Sequence, residues 1–400
     1  MEQSKIRTHS QLPLHLLNFC TYGIVAVFTS YLQLFYQSVG MNNLQIGMLI
    51  AAGPLVSLVA HPFWNFCRRQ LSGIRGILLW LLIGILIFLH MLLWTDQIVH
   101  TVWNSLLLYF FFTPLLYTTL TMSMEYAEPT NLNQAFWTYR YSGTAGGALI
   151  PFAISFPTWN GENNRLSIII ILSIVIIISM GLAMMLPPLK RQISTPTISF
   201  REFRGAILNK YVVTLLLLGM LVTVPIMINQ MFMPLIMINA GGTILDITLA
   251  LCFSGILELL FLVLTVRYMK RTLNSLILGL LAVTPLIALR WSFMSSATMP
   301  IHIILTHLLN ALTLGGFYLL ATGLLSLLLP KAFRSAGQTL GILCWSGISC
   351  GIAGLLGGWM MQNFGVVILY KTLMGVTLVS TIGLALMWLQ IHRNGYEPSK

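Results

Sequence analysis

Apolar runs of about twenty residues recur along nearly the whole chain, divided by short polar turns, and that rhythm leaves few folds open. A helix that crosses the hydrocarbon core of a bilayer needs about 20 such residues. Of the 400 residues, 57% are apolar and only 8% are charged, with 21 Lys+Arg against 9 Asp+Glu. A soluble domain carries roughly 25% charged residues to solvate its surface. There is too little polar surface here to face water all round. A soluble enzyme and a disordered or fibrous protein are thereby excluded. So is a nucleic-acid-binding module, despite the net charge of +12.

The runs divide the chain into twelve expected spans, at 12–37, 44–66, 74–94, 99–122, 131–156, 166–186, 211–238, 245–266, 272–291, 300–329, 335–361 and 366–391. Breaks fall at turn-forming clusters such as Met41-Asn42-Asn43, Glu128-Pro129-Thr130-Asn131 and Asn160-Gly161-Glu162-Asn163-Asn164. The N-terminal decapeptide is too short and polar for a cleaved signal, so the first helix is read as retained. The expected class is an all-α membrane protein of twelve helices.

Cytoplasmic loops retain Lys and Arg. Alternate connections here hold Lys5, Arg7, Arg68, Arg69, Arg75, Lys190, Arg191, Arg201, Arg204, Lys210, Arg267, Lys270, Arg271, Lys331, Arg334, Arg393 and Lys400. The opposite set holds Arg165, Arg290 and Lys371. Seventeen against three, with Arg140 inside a helix, places both termini in the cytoplasm and the chain in the cell membrane.

The longest polar stretch, 187–210, separates six spans from six. It predicts an N-terminal bundle at 1–186, a cytoplasmic central loop at 187–210 and a C-terminal bundle at 211–400. A weak internal repeat agrees. A shift of 202 residues lays Arg68-Arg69 on Lys270-Arg271 and Gly53 on Gly255, and a shift of 204 lays Gly143 on Gly347. A duplicated six-helix unit produces this kind of symmetry.

The five cysteines (Cys20, Cys67, Cys252, Cys344, Cys350) are scattered without paired spacing and read as small apolar residues. No metal-binding or dinucleotide fingerprint is present. Gly347-Ile348-Ser349-Cys350-Gly351 satisfies G-x-S-x-G. That nucleophile elbow needs a strand-to-helix turn, whereas this one lies in a long apolar stretch and reads as a helix–helix contact. The glycines of span five (Gly143, Gly146, Gly147) and span eleven (Gly347, Gly351, Gly354, Gly357, Gly358) favour close helix approach. A bulky residue at Gly351 is expected to jam or misfold the chain.

Charges that cannot reach a membrane surface carry most of the functional information, because each costs about 2.5–3.5 kcal/mol at a helix centre unless paired or wetted. Glu258 lies thirteen residues after Leu245 and nine before Arg267, near mid-membrane. It reads as a functional carboxylate or as half of a structural ion pair. Arg140 is about nine residues into span five, roughly 14 Å along the helix. It can line a cavity or extend back to the surface, with Glu125 at the inner end of span four as a partner across the short turn. Arg290 beside Trp291 reads either as an interfacial pair or as a cavity cation facing Glu258. Asn18, Tyr22, Gln33 and Tyr36 in span one, Asn229 and Gln230 in span seven, and His302, His307, Asn310, Thr313 and Tyr318 in span ten suggest a wet central path. His302 and His307, five residues apart, point about 140° apart and do not share one ligand.

Twelve spans, the six-plus-six split and the basic central loop resemble the major facilitator superfamily, and within it the proton-symporter branch of lactose permease and the phenylpropionate permease-like group. Gln45-Ile46-Gly47, Gly53-Pro54-Leu55 and Pro62-Phe63-Trp64 are similar to that group's second span. Arg140-Tyr141-Ser142-Gly143 is similar to its fifth, Glu258-Leu259-Leu260 to its eighth and Ala288-Leu289-Arg290-Trp291 to its ninth. Asn310-Ala311-Leu312-Thr313 is similar to its tenth and Leu356-Gly357-Gly358-Trp359 to the end of its eleventh. The resemblance implies two pseudo-symmetric six-helix bundles, with Arg140 binding substrate. Two departures stand out. The loop motif after span two keeps Arg68 and Arg69 but lacks its aspartate. Asn310 and Thr313 stand where lactose permease has a His and a Glu.

The functional expectation is a proton-coupled symporter for a sugar, nucleoside or aromatic acid, with no cofactor beyond the proton gradient, working as a monomer. Arg140, Glu125, Asn18, Tyr22, Asn229, Gln230 and Asn310 are the expected solute contacts. Glu258 carries the proton, helped by Arg290, which biases its proton affinity, and by His307. A drug/proton efflux antiporter and a non-transporting receptor on a carrier fold are the alternatives. No acid–base–nucleophile set converges, so an enzyme is not expected.

Overall fold

The computed structural model describes residues 2–67, 70–71, 73–94, 97–126, 132–155, 164–186, 200–268, 272–330 and 333–394. Arg68, Arg69 and most of the central loop fall outside the described residues. All elements among the described residues are helical.

Twelve membrane-crossing helices account for nearly all of the described chain. Ten long apolar segments are Leu12–Ser38, Asn43–Cys67, Ile74–Trp94, Ile98–Tyr126, Leu166–Met185, Lys210–Asn239, Ile244–Phe261, Leu273–Ser295, Pro300–Leu328 and Ala336–Asn394. Leu132–Ser155, whose first turns carry Asn133, Gln134 and Arg140, completes the first half as span five. The last segment is two helices, because Gly365 at φ +75° breaks the helical path. A positive φ suits glycine because a side chain there would clash with the backbone. Spans eleven and twelve are therefore 336–364 and 366–394. The boundaries agree with those read from the apolar runs to within a few residues. A short helix, Phe200–Ile207, precedes span seven.

Lipid-facing surfaces are apolar: Ile170, Ile174, Ile177 and Ile178 of span six, and Val379, Ile382 and Leu386 of span twelve, are exposed. Backbone polar groups are satisfied within the helices, as the hydrocarbon region requires. Buried side chains then tie helices together. The Asn18 amide donates to Ser123 Oγ at 2.7 Å, joining spans one and four. Trp345 donates its indole N–H to the Leu216 carbonyl at 3.1 Å, joining eleven to seven. Tyr370 donates to Asn229 Oδ1 at 2.9 Å, joining twelve to seven.

Two helix pairs form the main boundary between the halves, span two with span eleven and span five with span eight. A shift of about 200 residues exchanges the two pairs, which is the geometric form of the repeat in the sequence. Both rely on small residues. A Cβ on Gly358 would stand 2.7 Å from the Asn43 carbonyl, and one on Gly255 would stand 2.6 Å from the Ala148 Cβ. The Asn43 amide also donates to Gln362 Oε1 at 3.2 Å.

The contact between spans two and eleven does not run their full length. Asn43, Gly47 and Ala51, at four-residue spacing, touch span eleven. The same stripe continues as Leu55 and Leu58, which are 66% and 62% exposed. On span eleven, Gly354 and Gly358 are in contact, whereas a Cβ on Gly351 would meet nothing within 4 Å. The halves are therefore closed at the Asn43/Gln362 end and splayed at the Cys67/Ala336 end. Gly351, expected to pack tightly, faces open space in this state, and the tight packing is at Gly354 and Gly358.

Candidate functional site

Arg140 and Glu258 meet between the halves. Glu258 is fourteen residues into the helix beginning at Ile244, about 21 Å along it. Arg140 is eight residues past Leu132, about 12 Å along span five. Glu258 lies near mid-span and Arg140 about a third of the way along its helix, and Arg140 Nη2 stands 3.8 Å from Glu258 Oε1. The side chains are 41% and 16% exposed, so the pair opens onto the space between the bundles rather than into packed apolar core. An intramembrane ion pair of this kind is costly unless it is mutually neutralising and wetted.

Local sequence places each partner. Span one passes close to span five because Gly146 lies against the Phe19 carbonyl and Gly143 faces the Tyr22 ring, where a Cβ would be 2.7 Å from the ring. That approach brings the Tyr22 ring to 5.6 Å from the Arg140 guanidinium carbon. Arg140 Nη1 donates to the Tyr22 hydroxyl at 3.4 Å. On the other side, the Glu258 stem rests on span ten, where a Cβ at Gly315 would stand 3.3 Å from its Cγ.

Gly315 ends a π-helical turn, Ala311–Gly315, and a second one, Leu343–Ile348, lies in span eleven. Such turns leave carbonyls without regular partners and recur at functional sites. Tyr318 donates to the Trp345 carbonyl at 3.1 Å and contacts Ser346 Oγ at 3.0 Å, so it satisfies the second turn. Tyr36 and Tyr109 meet hydroxyl to hydroxyl at 3.3 Å between spans one and four.

Arg290 forms a separate cluster. It is fully buried, and its Nη1 donates to Asn310 Oδ1 at 2.6 Å and to Thr313 Oγ1 at 3.4 Å. Asn310 in turn donates to Ser254 Oγ at 2.7 Å. Ser254 is one helical turn before Glu258 on span eight. Asn310 and Thr313 are thus brought to the same arginine. The carboxylate expected opposite Arg290 is paired with Arg140 instead. The reading of Arg290 as an interfacial residue is not what the structure adopts, since no part of it reaches the surface.

The remaining expected residues divide. Asn18 is fully buried one turn before Tyr22 and is engaged with Ser123. Glu125 is buried near the end of span four. Asn229 is held in its bond to Tyr370, and Gln230 is exposed without a side-chain hydrogen bond among the described residues. His307 is buried, with Nδ1 2.9 Å from the Ile303 carbonyl of its own helix. Ser254, Tyr109 and Trp345 were not anticipated. For Ser254 the four-residue spacing to Glu258 was the available signal. Among the described residues no cluster of His, Cys, Asp and Glu can hold a metal ion.

The profile of the MFS_1 like family matches residues 12–372. No curated protein sequence matches the chain significantly. Among solved structures, the nucleoside transporter NupG superposes with a TM-score of 0.78 at 14% identity, covering 95% of this chain and 99% of its own. A bacterial homolog of the human lysosomal transporter Spinster, inward-facing and unoccupied, gives 0.68 at 14% identity, covering 96% of each chain. A POT family transporter in complex with 5-aminolevulinic acid gives 0.72 at 14% identity, covering 95% of this chain and 96% of its own. At such identities the superpositions establish a shared fold, and the profile covers most of the length. The chain belongs to the MFS_1 like family and is a multi-pass transporter of the major facilitator superfamily.

Proposed function

We propose that this transporter is a proton-coupled symporter of a small polar organic solute, working by alternating access between two six-helix bundles at 1–186 and 211–400 joined by the loop at 187–210. The observation that carries the reading is the Arg140–Glu258 pair, 3.8 Å apart across the boundary between the halves. Arg140 and Tyr22 take the solute's anionic or hydroxyl groups, and Glu258 carries the proton. An ion pair that spans both halves resists their relative tilt. Protonation of Glu258, together with solute on Arg140, removes that resistance, so the loaded carrier reorients. The coupling is then a difference in electrostatic energy between two conformations, as any ligand-driven shift requires.

The basic residues flanking the splayed end favour a cytoplasmic opening, with both termini on that side of the cell membrane. The proton gradient is the energy source, and the monomer is the working unit.

Proteoliposomes with a trapped pH-sensitive dye test the assignment, screened with sugars, nucleosides, amino acids and aromatic acids. Solute-dependent proton entry that disappears in Glu258→Gln supports it. Proton-driven uptake and counterflow unchanged in Glu258→Gln remove Glu258 from the coupling. Expulsion of a preloaded dye drug on imposing a gradient, with no uptake of any solute, replaces symport by efflux.

A further inference from the structure

Arg290 is a buried cation with unused donors. None of its side chain is exposed, and among the described residues its Nε and Nη2 have no hydrogen-bond partner. Its contacts are all with neutral groups, the Asn310 amide, the Thr313 hydroxyl and the Trp291 ring at 5.1 Å, and no carboxylate among the described residues pairs with it. Leaving a guanidinium buried without a counter-charge costs several kcal/mol. The unspent donors mark a position where negative charge is stabilised whenever it arrives. Glu258 is the carboxylate best placed to arrive there. Asn310 links Arg290 to Ser254, and Ser254 is one turn from Glu258 on the same helix. Both Glu258 and Arg290 lie in the C-terminal half, whereas Arg140 lies in the other.

We propose that Glu258 exchanges its partner across the boundary, Arg140, for Arg290 within its own half when the closed end at Asn43/Gln362 opens, displacing the Asn310 bridge. The exchange rests on the alternating-access reading and supplies what that reading lacks, a favourable place for the carboxylate once Arg140 has moved away. Arg140 then stabilises one conformation and Arg290 the other, and each acts through the same carboxylate. Asn310 and Ser254 are positioning residues that occupy the gap in the present state. Neutralising Arg290 therefore penalises only the open-end conformation, and only while Glu258 keeps its charge.

Cross-linking of an Asn43→Cys/Gln362→Cys pair with a short bifunctional thiol reagent reports the closed end without solute or gradient. The native cysteines remain, and single-cysteine variants serve as controls. In this background, Arg290→Gln is expected to raise the cross-linking yield several-fold and Arg140→Gln to lower it. Both shifts should vanish when Glu258→Gln is added. Arg290→Lys, which keeps the charge, should stay near the parent level. An Arg290→Gln effect of equal size with and without Glu258 would overturn the exchange and leave Arg290 a packing residue. No effect in either background overturns it as well. Because the assay needs no transported solute, a failed uptake screen and a failed exchange are told apart. If Gly354→Trp also leaves the yield unchanged, the rocking motion fails and the exchange fails with it.

Discussion

Gly47 and Gly354 lie backbone against backbone across the boundary between the halves, so close that a Cβ on Gly354 would stand 2.5 Å from the Gly47 carbonyl oxygen. The contact sits at the closed end, and the helices separate beyond it. Substitution here acts on one conformation of the carrier more than on the other.

Gly354→Leu should therefore open this end. Overpacking of a tight contact costs about 1–3 kcal/mol, enough to lower the closed-to-open ratio roughly fivefold or more. The measurement is the yield of the Asn43→Cys/Gln362→Cys cross-link, and an unchanged yield contradicts the glycine contact.

Gly351→Leu makes the opposite case. Its Cβ meets open space, so thermal unfolding in detergent should stay within about 0.5 kcal/mol of the parent, as for other unpacked positions. Transport should nevertheless fall, since spans two and eleven must approach at this level when the splayed end closes. Full activity would mean that Gly351 is never part of a closing interface.

Gly143→Val tests the placement of Tyr22. A Cβ there would be 2.7 Å from the Tyr22 ring, which pushes the ring off the Arg140 guanidinium. Solute affinity should weaken by roughly tenfold, the equivalent of about 1.4 kcal/mol, with Tyr22→Phe showing a smaller loss because its bond to Arg140 is long at 3.4 Å. Equal KM values in all three proteins would remove Tyr22 from the solute path.

Asn229 was expected at the solute, yet it holds Tyr370. Tyr370→Phe should lower stability by about 0.6 kcal/mol, the typical value for one interhelical hydrogen bond in a membrane, and leave KM unchanged. A shifted KM for Tyr370→Phe would return Asn229 to the cavity.

Span positions and the candidate charges were legible in the sequence, because a bilayer imposes a length of about 20 apolar residues and a penalty on every buried charge. Glu258 and Arg140 stand out on that ground alone. Only the tertiary structure decided how the charges pair. Arg140, Glu258 and Arg290 lie on three different helices, and the approach of spans five and eight through Gly255 and Ala148 sets which carboxylate reaches which cation. The pattern along one helix carries depth, but not the rotation of that helix against its neighbours. For the same reason, Gly351 and Gly354 look alike in the sequence. The splay of spans two and eleven leaves one facing open space and presses the other against the opposite half.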